Sequence, residues 1–266
     1  MNPNYSFFSW VRSTISWFLV GLVTIVLFVP IFITFCILSV FDRDQTRLHP
    51  LISFWAKSIL AVCPLMRVHF EGREHLKPGT TYVLVANHQS IADIIAVLHL
   101  RLPFKFIAKS DLFWIPFFGW ALSLAGYIPL TRGDQKSGRE TIQKAMGYLK
   151  RGVSVLLFPE GTRSRNGEIH AFKVGAFKLA TELGLPVVPL VIQGTRDLIP
   201  KGTLLINHRI EVTVRIGTPH PPPSNDSASI EAFCQKVRSE MIFSLNEMRS
   251  QEEVVLQTKR AEIALT

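Results

Sequence analysis

Tyr82-Val83-Leu84-Val85-Ala86-Asn87-His88-Gln89-Ser90-Ile91-Ala92-Asp93-Ile94-Ile95-Ala96-Val97-Leu98 passes from an apolar, β-prone run through a polar turn into an apolar, helix-compatible run. A strand ends, the chain turns, and a helix begins within a few residues. An imidazole therefore stands at a strand exit, with a carboxylate five residues later in the first helical turn. Two residues five apart in one helix point well away from each other. With His88 in the turn before the helix, the ring can fold back over Asp93. The carboxylate then holds one ring nitrogen and leaves the other to accept a proton. The same residues admit a second reading. Ser90-x-x-Asp93 resembles a capping box with Asp in place of Glu, in which Asp93 only satisfies backbone donors at the helix start.

Outward from this turn, short β-rich runs alternate with helical stretches. Candidate strands are 67–71, 82–86, 104–108, 127–130, 154–158, 187–192 and 210–216, and candidate helices include 91–100, 137–150 and 174–183. That alternation predicts an α/β fold, a mostly parallel or mixed seven-stranded sheet flanked by helices, with functional loops at strand C-terminal ends. Thr218-Pro219-His220-Pro221-Pro222-Pro223 ends the sheet region. From Ser229 to about Ala264 the chain reads as an amphipathic, charged helix packed on the outside.

Upstream, Ile15 to Phe41 is apolar and free of charged residues. As a helix it would extend about 40 Å, more than the ~30 Å hydrocarbon core of a bilayer. Pro30 near its middle would kink or break such a helix. A tilted span and a bent, re-entrant helix both fit, whereas a cleavable signal peptide does not, because the run is too long and no Ala-x-Ala site follows. A second apolar segment, Leu51 to Met66, carries Lys57 and sets Phe54 and Trp55 beside Ser53. That suits a helix resting in the membrane interface or the second arm of a hairpin. Arg12 on one side against Arg43, Arg47 and Lys57 on the other places everything after residue 42 in the cytosol. Three units follow: 1–67 membrane-associated helices, 68–225 an α/β domain and 226–266 the terminal helix.

The 266-residue chain carries a net charge of +9, with a pI near 9.7 and a mean hydropathy of +0.26. A basic chain calls for an anionic partner such as phosphate, an acidic carrier or lipid head groups. Nucleic acid is disfavoured, since no long Lys/Arg run or recognised binding motif occurs. Cys36, Cys63 and Cys234 lie far apart and read as reduced and buried. His69, His75, His99, His170, His208 and His220 are scattered without ligand spacing, so no metal is expected.

Phe158-Pro159-Glu160-Gly161-Thr162-Arg163-Ser164 also follows a β-rich run, Val153 to Leu157, and should leave the sheet on the same edge as His88. Gly161 permits close backbone approach to a ligand, and Arg163 offers a planar donor fork for phosphate. A surface turn with a Glu–Arg ion pair is the plainer reading.

Together the two motifs resemble the 1-acyl-sn-glycerol-3-phosphate acyltransferases. Asn87, His88 and Asp93 match that family's Asn-His-x-x-x-x-Asp signature, and residues 158–164 match its Phe-Pro-Glu-Gly-Thr-Arg-Ser. Lys109, Leu112, Pro116 and Gly119 are similar to its Lys-x-x-Leu…Pro-x-x-Gly segment. Gly126 to Arg132 and Val188-Pro189-Leu190-Val191-Ile192 are similar to two further signatures. The resemblance covers roughly 70–220, in the family's order, and the apolar N-terminus agrees with the membrane attachment usual there.

The resemblance implies transfer of a fatty acyl group from an acyl-acyl carrier protein or acyl-coenzyme A thioester to the sn-2 hydroxyl of lysophosphatidic acid, giving phosphatidic acid without a further cofactor. His88 would be the general base and Asp93 its orienting partner. Lys109, Arg132 and Arg163 would grip the phosphate, with Gly161 beside the substrate and Glu160 and Thr162 positioning the glycerol or an arginine. Backbone N–H groups around Gly161, or Lys109, would face the oxyanion. Ser90 is a cap and not a nucleophile, and no Gly-x-Ser-x-Gly elbow occurs. The site would sit just above the head groups on the cytoplasmic face, of the inner membrane in a bacterium. Three alternatives stay open: another lysophospholipid or amino-lipid acceptor, a non-catalytic lipid-binding protein, and a metal-dependent phosphoesterase, which lacks further carboxylate ligands at suitable spacing.

Overall fold

The computed structural model describes residues 7–62, 66–100, 102–199, 203, 205–206 and 210–264. Cys63 and His208 fall outside them. Seven strands form one sheet: β1 (Met66–Glu71), β2 (Val83–Ala86), β3 (Phe104–Lys109), β4 (Ile128–Leu130), β5 (Ser154–Leu157), β6 (Val187–Gln193) and β7 (Ile210–Ile216). Their order is β1-β7-β6-β2-β5-β3-β4. Every pair is parallel except β6 with β7. A parallel return needs a crossover, usually helical, and among the described residues between β6 and β7 the only helical turn is the short 3-10 piece Thr195–Asp197. The proline-rich stretch does not quite end the pairing: His220 makes an isolated antiparallel bridge to Val187.

Among the described residues the α-helices are α1 (Phe7–Leu38), α2 (His49–Val62), α3 (Ala92–Val97), α4 (Phe118–Leu124), α5 (Gln135–Lys150), α6 (Gly175–Leu183) and α7 (Ser227–Ala264). Strand alternation splits the core in two. Leu84 and Ala86 face a cluster with α1 to α4, whereas Val83 and Val85 face one with α5, α6 and α7. β2, β5 and β6 are buried along their whole length, as continuous apolar runs in a covered sheet should be. Helix α7 contributes Phe233, Cys234, Val237, Met241 and Leu245 to the second cluster, so it forms one layer of the domain.

Helix α1 runs unbroken through Pro30; losing one hydrogen bond and gaining a ring clash is outweighed where flanking residues are packed, as Phe28 and Ile31 are. Its outer face is largely apolar, and its inner face carries hydroxyls beside Ile31. Ser13, Ser16 and Thr24 are buried, while Phe18, Leu22, Ile25, Val29 and Phe32 are exposed. The buried hydroxyls are used: Ser13 Oγ accepts from Ile206 N at 2.9 Å, and Thr24 Oγ1 accepts from Trp55 Nε1 at 3.1 Å. Ser13 and Ile31 lie about 27 Å apart along the helix axis, and both touch the same domain, so α1 lies along its flank. Cys36 is exposed, contrary to expectation, because it stands on the face of α1 that meets no protein. The second apolar segment is α2, packed between α1 and the sheet through Ile52, Trp55, Ala56 and Ile59; its expected end, Met66, instead opens β1.

His49, at the start of α2, is buried against the edge of Phe104, with Nε2 at 3.4 Å from the Leu100 carbonyl. Burial lowers its pKa to about 4 from 6.5. Between those values the unfolded chain binds a proton that the folded one refuses. Stability is therefore intact above pH 6.5 and is lost as pH falls toward 4, by ~3 kcal/mol. The gap between unfolding free energies from urea titrations in detergent at pH 7 and pH 4.5 is expected to shrink by ~2.5 kcal/mol in His49→Leu relative to the parent chain. An unchanged gap would refute this.

Candidate functional site

β2 and β5 are adjacent and parallel, with Val85 paired to Leu157, so residues 87–91 and the segment beginning at Phe158 leave the sheet side by side. His88 and Arg163 thus share one edge. The two loops are also tied to each other. The Glu160 carboxylate accepts from His88 N at 3.0 Å through one oxygen and from His170 N at 3.1 Å through the other. Ser164 N donates to His88 O at 2.7 Å. Burial raises the Glu160 pKa, and the two N–H donors oppose that. Asn87 pairs with both backbone groups of Ile192, donating at 2.9 Å and accepting at 2.7 Å, which fastens the turn to β6.

His88 Nδ1 lies 2.7 Å from Asp93 Oδ2, and its ring stacks on Phe158 with centroids 4.2 Å apart. A carboxylate only accepts, so Nδ1 carries a proton, and in the neutral ring the lone pair is left on Nε2. The side chain is 13% exposed and lines a cavity. Asp93 is fully buried. Its Oδ2 also accepts from Gln89 N at 2.7 Å and Ser90 N at 3.0 Å, and its Oδ1 accepts from Thr195 Oγ1 at 2.5 Å. One carboxylate therefore caps the turn and holds the ring.

The cavity measures about 980 Å³. His88, Phe158, Gly161 and Arg163 line it beside the sheet edge, and residues of α1, α2, α3 and α4 make much of its apolar wall. Gly161 has φ 70°, and a Cβ there would stand 3.1 Å from Lys173 Nζ. A side chain at 161 would thus be strained and would press on the ammonium. Lys109 and Arg132 also line the cavity, but Lys109 is ion-paired with Asp111 at the surface. Glu160 and Thr162 do not line it. Glu160 instead spends both oxygens on backbone.

Pro159 accepts from Lys173 N through its carbonyl at 2.9 Å, Ser164 Oγ accepts from Gly167 N at 3.0 Å, and Pro189 pairs with Val85 in the sheet. Two residues that sequence reasoning passed over belong to this constellation. Lys173 lines the cavity; the hint was a lysine in the otherwise apolar run Ala171 to Ala176. Thr195, which follows Gly194 beyond the end of β6, holds Asp93 from the side opposite His88 and left no local signal.

Residues 67–193 match the Acyltransferase family. The 1-acyl-sn-glycerol-3-phosphate acyltransferase of Chlamydomonas reinhardtii is 36% identical over 234 residues, which cover 84% of this chain and 70% of that protein. The chain belongs to the 1-acyl-sn-glycerol-3-phosphate acyltransferase family. A chloroplastic member from Brassica napus is 36% identical over 85% of this chain, and the human alpha enzyme is 34% identical over 69%. The chain spans 64% of the Brassica protein and 56% of the Arabidopsis thaliana one, about three-fifths of these plant relatives. The crystal structure of the acyltransferase PlsC from Thermotoga maritima superposes with a TM-score of 0.72 at 27% identity, covering 90% of this chain and 98% of that one. The two motifs on which the resemblance rests, Asn87 to Asp93 and Phe158 to Ser164, are the two loops that meet at His88.

Proposed function

We propose that the chain moves a fatty acyl group from an acyl carrier protein or coenzyme A thioester to the sn-2 hydroxyl of lysophosphatidic acid. The carrying observation is an imidazole whose Nδ1 is held by a buried carboxylate and which lines an apolar cavity together with Arg163 and Lys173. Nε2 of His88 takes the hydroxyl proton as the oxygen attacks the thioester carbonyl. The C–O bond forms, the C–S bond breaks, and the imidazolium returns the proton to the departing thiolate. Asp93 stabilises that imidazolium, so no acyl-enzyme is required. The Gly161 N–H is already donated to Phe158 O at 3.0 Å, which leaves oxyanion stabilisation to other donors. The apolar wall suits an acyl chain. Glu160 positions the His88 and Arg163 loops and does not touch substrate.

The outward apolar face of α1 supports attachment to one membrane surface, with the sheet edge beside the head groups on the cytoplasmic side. As units, 1–67 would provide that attachment, with 68–225 and the helix of 226–266 carrying the site.

The test is turnover of lysophosphatidic acid by the full-length chain with each thioester, following thiol release and phosphatidic acid. Absence of both products with either donor would refute the assignment, and a panel of other lysolipids tests the head group. Arg163→Ala and Lys173→Ala are each expected to raise KM for lysophosphatidic acid tenfold or more, since a charge-assisted hydrogen bond contributes ~1.5–3 kcal/mol. KM for the thioester should change little. An unaltered acceptor KM removes the residue from the phosphate site.

A further inference from the structure

The connection from β3 to α4 is a 3-10 turn, Ser110–Trp114, followed by Ile115, Pro116 and Phe117. It presents large apolar side chains outward: Trp114 is 85% exposed, Trp120 47% and Ile115 44%. This is not a loose loop. A Cβ on Gly119 would come within 2.5 Å of Phe113 and Leu112 backbone, and Gly119 N donates to Ile115 O at 2.7 Å. Phe117 adopts φ 61°, uncommon for a bulky residue. Its ring lies 5.5 Å from Phe28 of α1 and 5.0 Å from Trp120, and Trp120 is 5.8 Å from Phe28. An aromatic cluster thus joins the turn to α1, making its exposed surface continuous with the apolar outer face of that helix.

We propose that the Trp114–Trp120 turn is a second bilayer contact, inserted into the same leaflet as α1. The occupant is lipid because the surface continues the outer face of α1, where Phe18, Leu22, Ile25, Val29 and Phe32 are exposed while Ser13, Ser16 and Thr24 are buried, the reverse of a helix in water. Tryptophan favours the boundary between head group and acyl chain. Arg132 lines the same cavity as Ile115 and Phe117, which puts a cation where anionic head groups would lie. Ile25 of α1, 46% exposed, and Ile115 are at once cavity wall and outer surface. The cavity therefore opens sideways between helix and turn, where a lysolipid tail enters from the leaflet.

This inference rests on α1 being membrane-bound, and the test separates the two. Full-length chain is bound to anionic phospholipid vesicles with or without bromine on the acyl chains, and Trp114→Phe is subtracted from the parent to isolate Trp114 emission. The expected result is blue-shifted emission, quenched at least twofold by bromolipid and protected from iodide. Emission that iodide quenches on vesicle-bound protein overturns the second contact alone. Protection from iodide without bromolipid quenching, together with cross-linked dimers, overturns it in favour of a second copy of the chain. Failure to float with vesicles overturns both readings. Trp114→Asp is further expected to raise KM for vesicle-borne acceptor tenfold while leaving kcat on a short-chain, water-soluble acceptor unchanged; an unchanged KM counts against the contact.

Discussion

Turnover of lysophosphatidic acid is expected to fall ~10²–10⁴-fold when His88 becomes alanine, the range that general-base assistance supplies, with no loss of fold. The asymmetry follows from what the side chain does. The ring makes one hydrogen bond, to Asp93, and one stacking contact, on Phe158. The bonds that hold the loop in place belong to the backbone of residue 88, whose N–H reaches Glu160 and whose carbonyl accepts from Ser164. Alanine keeps both. Asp93 also retains its donors from Gln89, Ser90 and Thr195, so its charge is not left bare. Circular dichroism and the urea midpoint should match the parent while kcat collapses. A variant with full activity would end the general-base role, and an unfolded one would show that the ring is chiefly structural.

Much of the architecture was readable in the sequence, because β2, β5 and β6 are written as apolar runs and β1 and β7 as alternating ones. Each expected strand lies within one residue of an observed one. What stayed hidden depends on tertiary packing. Helix α4 is too short to show a period, and only the collision awaiting a Cβ at Gly119 explains why the chain turns so tightly there. The Glu160 carboxylate looks like a substrate group in a linear motif, yet it spends its oxygens on two backbone N–H groups brought together by folding. Lys109 suits a phosphate by residue type, but a neighbour two positions on, Asp111, pairs with it. Lys173 and Thr195 reach the constellation from the starts of later elements, and nothing in their neighbourhoods marks the partner. Helix α1 could be recognised as apolar, but its inward face mixes Ser13, Ser16 and Thr24 with Ile31, so no apolar stripe marked it.

Asp93 gives the sharper experiment, since its carboxylate does two jobs that substitution can separate. In Asp93→Asn the amide oxygen can occupy the Oδ2 position, where Gln89 N, Ser90 N and His88 Nδ1 all donate. The amide NH₂ then faces Thr195, whose hydroxyl can turn from donor to acceptor. The turn stays capped and the ring stays oriented, while the negative charge that stabilises a forming imidazolium is gone. Stability is expected to remain within ~1–2 kcal/mol of the parent, with kcat down ~10²–10⁴-fold. Asp93→Ala instead strands two buried N–H groups and a buried hydroxyl and should cost ~3–5 kcal/mol. Urea midpoints and kcat measured on both variants decide the matter. An active, folded asparagine variant would mean that capping is all Asp93 contributes, whereas a folded and inactive one shows that the charge acts on the ring.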